Sequence, residues 1–331
     1  MRLEFGIRHA LAIAAACTLA APAAAQTPAT GSGAWPDRTV RIIAPFPPGG
    51  GTDTVGRLLA QKFTEQIGGS FVVENRPGAA ATIGAAFVAR AAPDGYTLLL
   101  SAPEMSIHPN TRSKLPYDPL KDFAFISQLT SGQFMLASHP SVPVKTVKQL
   151  IALAKTRPGH LSYGHSGVGG INHLAGELLQ SMAGIRWVHV PFKGTGPSVI
   201  GVMIGEIDFV FASTTGLVGA AQAGKVRPIA VTGPKRFSEL PEVPTINESG
   251  VPRYSVTGWY GFYAPAGTPA DIIRRLHVET GRALNSPDVK EKLTKTGNEP
   301  VASSPEEFAA FLRAEIDKWA KVVKESNLRI D

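Results

Sequence analysis

Short apolar runs alternate along this chain with amphipathic segments, and loops rich in glycine or small polar residues separate them. The run at 40–44 is β-branched and apolar, which predicts a buried strand, and apolar positions recur at helical spacing after Thr52. The same order of strand, loop and helix returns several times in the middle third. One polar stretch, 103–121, lacks such a pattern and predicts a long irregular connection. The alternation predicts an α/β fold with parallel, doubly wound sheets.

Two predicted strands, 123–138 and 257–264, lie where the chain could cross from one sheet to another. Two crossings predict two doubly wound α/β lobes joined by a two-strand hinge, with a ligand bound in the cleft between them. We assign residues 35–132 and 253–331 to lobe 1 and residues 133–252 to lobe 2.

The beginning of the chain has the pattern of an export signal. Two arginines precede an apolar stretch, 10–21, which is too short to span a bilayer, and small residues follow as far as Ala25. We predict a signal peptide at 1–25, cleaved after Ala25, a flexible linker at 26–34 and a periplasmic mature protein. The alternative is a lipid anchor on Cys17, which the missing leucine three residues earlier disfavours.

Composition narrows the function classes. The chain has 331 residues, of which 44% are hydrophobic, and its formal charge is +7, so it is a globular protein of about two domains that could attract small anions. The basic residues are scattered, which disfavours nucleic-acid binding. Cys17 is the single cysteine, and its loss with the signal peptide would exclude thiol catalysis and thiolate metal sites.

Four loops place glycines or small polar residues at the start of a predicted helix, at 49–53, 166–170, 193–196 and 213–216. Glycine lets a ligand approach the backbone, and the first N–H groups of a helix have no partner within it. Together with the helix dipole, these donors attract carboxylate or phosphate. The loops therefore predict an anion site, although glycine-rich turns can also serve only to connect a strand to a helix.

No cofactor is predicted. A dinucleotide fingerprint starting at Gly49 would require glycine at the position of Thr54, and a P-loop would require lysine soon after Gly51. A carboxylate held by main-chain donors is the interpretation that remains.

Catalysis and metal binding find little support in the motifs. The sequence around Ser166 resembles a hydrolase nucleophile elbow, but Val168 replaces its second glycine, so we expect Ser166 to donate a hydrogen bond or cap a helix. His165 and His173 lack the spacing of a helical metal pair. We interpret them as structural histidines with satisfied hydrogen bonds and predict neither catalytic residues nor a metal site.

Two charged residues in the loops each permit two interpretations. Asp53 could favour the helix dipole as a first-turn acid, or it could meet an amino or hydroxyl group of the ligand. Lys193 could pair with a second carboxylate of the ligand or remain solvated at the surface.

Several ordered segments resemble the Bug family, the TctC-like substrate-binding receptors of tripartite tricarboxylate transporters. They extend over essentially the whole chain after the predicted signal peptide: Pro45–Asp53, Asn75–Ala79, Ala92–Leu99, Tyr163–Leu174, Val190–Gly194, Pro241–Thr245 and Gly258–Phe262.

This resemblance implies the type II periplasmic-binding-protein fold and a carboxylate held mainly by backbone amides and hydroxyls of two opposed loops. The ligand-binding residues carried over to this chain are Phe46, Pro48, Gly49, Gly50, Gly51, Thr52, Asp53, Ser101, Ala102, Ser166, Gly167, Val168, Gly169, His173, Lys193, Gly194, Thr195, Ser213 and Thr214.

We therefore expect a monomeric, non-enzymatic receptor that delivers a small carboxylate to membrane permease subunits. A di- or tricarboxylate, an amino acid and an aromatic acid all remain open as ligands. The alternatives are a sensing module that signals to a membrane partner and, less favoured, a hydrolase that uses the same cleft.

Overall fold

The computed structural model describes residues 35–326. The predicted signal peptide, 1–25, and linker, 26–34, lie outside the described residues. Among the described residues, no helix is both long enough and apolar enough to cross a membrane.

Strands and helices alternate through most of the described chain. The strands are β1 Val40–Ala44, β2 Phe71–Asn75, β3 Thr97–Ser101, β4 Phe123–Ser138, β5 Ser162–His165, β6 Val188–Pro191, β7 Phe209–Ser213, β8 Arg227–Val231, β9 Thr257–Pro265 and β10 Asn298–Pro300. The helices are α1 Gly51–Ile67, α2 Thr82–Ala89, α3 Glu104–Thr111, α4 Val147–Thr156, α5 Ile171–Ala183, α6 Thr195–Met203, α7 Thr214–Gln222, α8 Ala270–Asn285, α9 Pro287–Lys295 and α10 Pro305–Ser326.

The strands form two sheets that share β4. In the first sheet the order is β2-β1-β3-β9-β4, with β10 also paired to β4. In the second sheet β4 is followed by β7, β5 and β6, and β8 also pairs with β4. The change from one sheet to the other falls within β4, because Gln133 still pairs with β9 whereas Phe134 pairs with Ser213 of β7.

Each sheet has parallel strands followed by helices, as the sequence predicts. The pairs β1–β2, β1–β3 and β5–β6 are parallel, while β9 runs antiparallel to both β3 and β4. Helix α1 follows β1 and buries Val55, Leu59 and Phe63 at i, i+4 and i+8, the spacing of one helical face. The predicted fold of two doubly wound lobes joined by a two-strand hinge is confirmed. The lobe boundaries at 132/133 and 252/253 remain predictions.

Each of the two sheets has its own hydrophobic core. Ile42, Leu98 and Phe262 are fully buried in the first, whereas Tyr163 and Phe211 are fully buried in the second. The apolar residues in the second half of α10, Trp319, Val322 and Val323, belong to the core of the second sheet, although the first half of α10 packs with the first-sheet core. Helix α10 therefore packs against both lobes.

The stretch 103–121 differs from the prediction. It contains α3, which buries Met105 and Ile107 beneath neighbouring elements although Pro109 lies inside the helix. The predicted irregular connection is wrong at this point because eight residues with mixed polarity do not produce a readable helical period.

Candidate functional site

Two adjoining cavities lie between the sheets. The first, which we call the hinge cavity, has a volume of ≈ 520 Å³ and is lined from the first-sheet side by Gly49, Gly51 and Tyr260 and from the second-sheet side by Phe134 and Ser213, among others. This volume falls within the range of about 300–1,000 Å³ that is usual for small-ligand sites.

The second cavity, called here the loop cavity, has a volume of ≈ 260 Å³. Its lining includes the loop 166–170 and, from the other side, Phe46, Glu104 and His108. Pro103 and Ile171 line both cavities, so the two are adjacent, and together they are called the cleft. Gly49 and Gly51 line the hinge cavity, and the loop 166–170 lines the neighbouring loop cavity.

Five helices begin at this cleft. Residues at the starts of α1, α3, α5, α6 and α7 line one cavity or the other: Gly51, Glu104, Ile171, Thr195 and Ser213. The first N–H groups of each helix are directed away from its own hydrogen-bond ladder, and the positive end of each dipole lies at the same place. An anion in the cleft would therefore meet main-chain donors from both lobes.

The loop before α1 is fixed by Asp53. Its buried carboxylate accepts a hydrogen bond from the Gly49 N–H (3.0 Å) and forms an ion pair with Arg57 (3.0 Å). The hydrogen bond from Arg57 is the main reason that the pKa of Asp53 lies below its usual value. In this structure Asp53 therefore holds the turn in place, and the Gly49 donor is directed at Asp53.

The loop before α5 is fixed by two histidines. The Gly169 N–H donates to Nδ1 of His173 (3.1 Å), and Nδ1 of His165 lies 2.8 Å from the Gly167 carbonyl oxygen. Burial lowers the pKa of His165 to about 4 and that of His173 to about 3, so both rings are neutral at pH 7. Nδ1 of His165 is thus committed to the backbone of Gly167 and is not paired with the Ser166 hydroxyl, as a hydrolase would require.

Ser101 and Ala102 meet a carboxylate of the protein itself. The Ser101 hydroxyl and the Ala102 N–H both donate to Oε1 of Glu104, at 2.7 Å and 2.8 Å. Glu104 is partly buried at the loop cavity, and burial raises the pKa of its carboxyl group. The family resemblance implies that Ser101 and Ala102 contact the ligand, but in this structure both donate to Glu104 at the start of α3.

Tyr260 and Lys292 are cleft residues that the sequence reasoning missed. A Cβ atom on Gly51 would lie 1.9 Å from the Tyr260 hydroxyl, which therefore occupies the space beside the start of α1. Burial, aided by the charge of Glu104, raises the pKa of Tyr260 to about 12, so its O–H is available as a donor at neutral pH. Lys292 of α9 lines the hinge cavity, whereas Lys193 lies outside both linings.

About half of the predicted ligand-binding residues line the cleft. In the hinge cavity are Gly49, Gly51, Ala102, Thr195 and Ser213. In the loop cavity are Phe46, Ser166, Gly167, Val168 and Gly169. Outside both linings, but within two positions of a lining residue in sequence, are Pro48, Gly50, Thr52, Asp53, Ser101, His173, Lys193, Gly194 and Thr214.

A larger concavity of ≈ 660 Å³ lies on the first sheet alone and is lined by Arg38, Arg41 and Arg90. Arg38 is paired with Asp94 (2.7 Å), and Arg41 lies 3.5 Å from Glu74. Since carboxylates already meet two of its three arginines and no second lobe faces it, the cleft between the sheets is the better candidate for a ligand site.

Similar proteins share the fold, and they align with most of this chain at about one-third sequence identity. BugT of Bordetella pertussis is 32% identical over 314 residues, which cover 94% of each chain. The structure of R. palustris Rpa4515 with adipate matches with a TM-score of 0.76 at 35% identity, covering 89% of this chain and 99% of its own. MatC from Rhodopseudomonas palustris with bound malate matches with a TM-score of 0.70 at 33% identity, covering 87% and 99%.

The fold is that of the two-lobed periplasmic binding proteins that the chain resembles. Residues 55–328 match the family model of the tripartite tricarboxylate transporter family receptors. The chain belongs to this family, and the resemblance to the Bug receptors is confirmed. The family consists of solute-binding receptors rather than enzymes.

Proposed function

We propose that this protein is a monomeric periplasmic receptor that captures a small carboxylate in the cleft and delivers it to the membrane subunits of a tripartite tricarboxylate transporter. The observation that carries the proposal is the convergence of five helix starts from both lobes on one cleft. Main-chain donors at helix starts are suited to carboxylates. The proposal includes export through the signal peptide predicted at 1–25.

The known complexes support the ligand class. Adipate and malate, the ligands of the two similar structures, are both dicarboxylates. A dicarboxylate of that size would fit the hinge cavity of ≈ 520 Å³, and its two charges would suit helix starts on opposite sides of the cleft. An amino acid or an aromatic acid is compatible with the same donors.

Closure would follow from contacts on both sides. A carboxylate that binds donors of both lobes makes its full set of contacts only when the lobes approach each other, so it stabilises the closed form by that difference. The shared strand β4 changes sheet between Gln133 and Phe134, which is the position where such a motion would bend the chain.

A thermal-shift screen of the purified protein against mono-, di- and tricarboxylates tests the proposal. A ligand at a hundredfold excess over its dissociation constant should raise the free energy of unfolding by about 2.7 kcal/mol. The corresponding uncharged amides should have no effect, because they lack the anionic oxygens that the helix starts attract. Equal shifts with acids and amides, or no shift with any acid, would contradict the proposed function.

A further inference from the structure

Three histidines from different elements meet beneath the loop 166–170. They are His165 at the end of β5, His173 in the first turn of α5 and His189 in β6. One ring nitrogen from each lies within 4.8 Å of one from each of the others. In the parallel pairing of β5 with β6, Tyr163 is opposite His189 and His165 is opposite Pro191, so the two strand histidines lie diagonally on the same face of the sheet.

We propose that His165, His173 and His189 bind a divalent transition-metal ion, with Zn²⁺ the best match to three imidazole ligands. Imidazole nitrogen is a preferred ligand of zinc and of its first-row neighbours, whereas Mg²⁺ and Ca²⁺ prefer oxygen. Three protein ligands and an open fourth position are a common zinc arrangement. The inference does not depend on the carboxylate proposed for the cleft.

The distances suit such an ion. Around a tetrahedral zinc, ligand nitrogens lie roughly 3.3–3.4 Å apart, because each Zn–N bond is about 2.0–2.1 Å long. Nε2 of His165 and Nδ1 of His189 are already 3.2 Å apart. The widest separation in the cluster is no more than 4.8 Å, so closing around an ion requires movements that rotation of the rings can supply.

The hydrogen bonds determine which ring nitrogens have a lone pair for an ion. Nδ1 of His165 lies 2.8 Å from the Gly167 carbonyl oxygen and 3.2 Å from the Gly167 nitrogen. The shorter contact requires a proton on Nδ1, which leaves the lone pair of the ring on Nε2. His173 is 1% exposed, and its Nε2 has no hydrogen-bond partner, which is unusual for a buried ring nitrogen. Because its Nδ1 accepts a hydrogen bond from the Gly169 N–H, the neutral ring carries its proton on Nε2. Ligation through Nε2 therefore requires this proton to leave that nitrogen, and a shift of the proton to Nδ1 would replace the Gly169 hydrogen bond.

The surroundings resemble the supporting contacts of known metal sites. The backbone carbonyl on His165 is the kind of partner that orients a ligating histidine. Glu177, whose Oε1 lies 3.8 Å from Nε2 of His173, accepts a hydrogen bond from Tyr163 (2.7 Å) and is held in place beside the cluster. Because His189 is exposed, the ion has an entry path and a water molecule could take the fourth position.

Titration of untagged, chelator-treated protein with Co²⁺, followed by visible absorption, tests the site directly. We expect one equivalent to bind with the intense d–d bands of a tetrahedral site, and one equivalent of Zn²⁺ to displace it. His189→Ala should weaken binding by more than about tenfold, since even an outer-shell partner typically contributes that much. His160→Ala removes an exposed histidine of the same lobe and should leave the affinity unchanged.

No stoichiometric binding by the wild-type protein would overturn the proposal, as would equal affinities of His189→Ala and the wild type. If His189→Ala does not fold, NMR spectra of the wild-type imidazoles replace the variant. Zn²⁺ should then shift the ring signals of His165, His173 and His189 but not those of His160. Shifts confined to histidines outside the cluster would mean that the three rings are only a stacked structural group.

Discussion

At the scale of single residues, Glu104 is a carboxylate of the protein that lines the proposed anion site. Its carboxylate takes the Ser101 and Ala102 donors at the edge of the loop cavity. Two negative charges about 4 Å apart repel each other by roughly 1–4 kcal/mol between water and a protein surface. A dicarboxylate would therefore bind best when Glu104 is protonated, which its raised pKa favours.

Glu104→Gln should tighten dicarboxylate binding by about tenfold at pH values above the pKa of Glu104, because the substitution keeps the acceptor oxygen and removes the charge. In the wild type, affinity should rise as the pH falls through the pKa of Glu104, whereas the variant should lose this component. Calorimetric titration of both proteins with the same ligand across a pH series measures how their affinities differ. Because the ligand is the same, the contribution of its own protonation cancels in the comparison. Identical pH profiles would contradict this role.

The same carboxyl group also gives the free protein a pH dependence of known sign. Its pKa in the folded state is raised above the ordinary value of 4.5, so the folded chain retains this proton to higher pH than the unfolded chain. Its contribution to the free energy of unfolding therefore declines as the pH rises from 4.5 through the folded-state pKa. Glu104→Gln should remove that part of the decline in a series of denaturation experiments.

Asp53 and Glu104 are both carboxylates near the proposed anion site, but they have different partners. The charge of Asp53 is compensated by Arg57, and its hydrogen bond to Gly49 shapes the turn. This favours the interpretation of Asp53 as a first-turn residue over contact with a ligand amine. Glu104 has no such cation among its hydrogen-bond donors, which are a hydroxyl and an amide.

At the scale of elements, the start of α1 depends on a glycine. Helix α1 begins at Gly51 with Gly50 as its N-cap, and the Tyr260 hydroxyl occupies the position where a side chain at Gly51 would begin. The first main-chain donors of α1 and this hydroxyl therefore reach the cleft together. Neither a larger residue at Gly51 nor a displaced Tyr260 would preserve this arrangement.

Gly51→Ala should weaken carboxylate binding by about tenfold or more, because the new methyl group would lie 1.9 Å from the Tyr260 hydroxyl and 2.9 Å from its Cζ. Gly281→Ala is the matched control, since a methyl group added at this position of α8 would have no atom within 4 Å. The control should keep full affinity and gain about 0.4–1 kcal/mol of stability. Calorimetry and thermal melts of both variants provide the readout. Equal affinities in the two variants would exclude the role assigned to Gly51.

Element positions could largely be predicted from local pattern. The strands at Val40–Ala44 and Phe123–Ser138 have the predicted bounds, because apolar and β-branched runs carry their own signal. Helix α3 and the three-residue strand β10 could not be predicted, since they are short and depend on packing against the rest of the molecule.

The cleft could be predicted only in part for a related reason. Its glycine-rich loops are local features that the sequence displays directly, whereas Tyr260 and Lys292 reach the cleft from distant parts of the chain. The His165 cluster is similar, because His189 joins it through strand pairing rather than sequence spacing. Glu104 had a usable signal, because this acid lies three positions after Ser101, which the family resemblance assigns to the ligand site.

At the scale of the whole molecule, two features connect the lobes. Strand β4 belongs to both sheets, and α10 packs on the core of each. A closing motion would therefore be centred on β4 while α10 limits its extent. This arrangement suits a receptor that must close on a ligand and open again. The open and closed forms would differ in the contacts at the cleft, whereas the cores of the two lobes would stay the same.

The central claim is that main-chain donors at helix starts of both lobes hold a carboxylate, and a structure of the protein with a carboxylate from the thermal-shift screen tests it most directly. We expect carboxylate oxygens about 2.7–3.2 Å from N–H groups at the starts of α1 and α5. A ligand held instead by arginine side chains in the concavity at Arg38 and Arg41, or touching one lobe alone, would contradict the account.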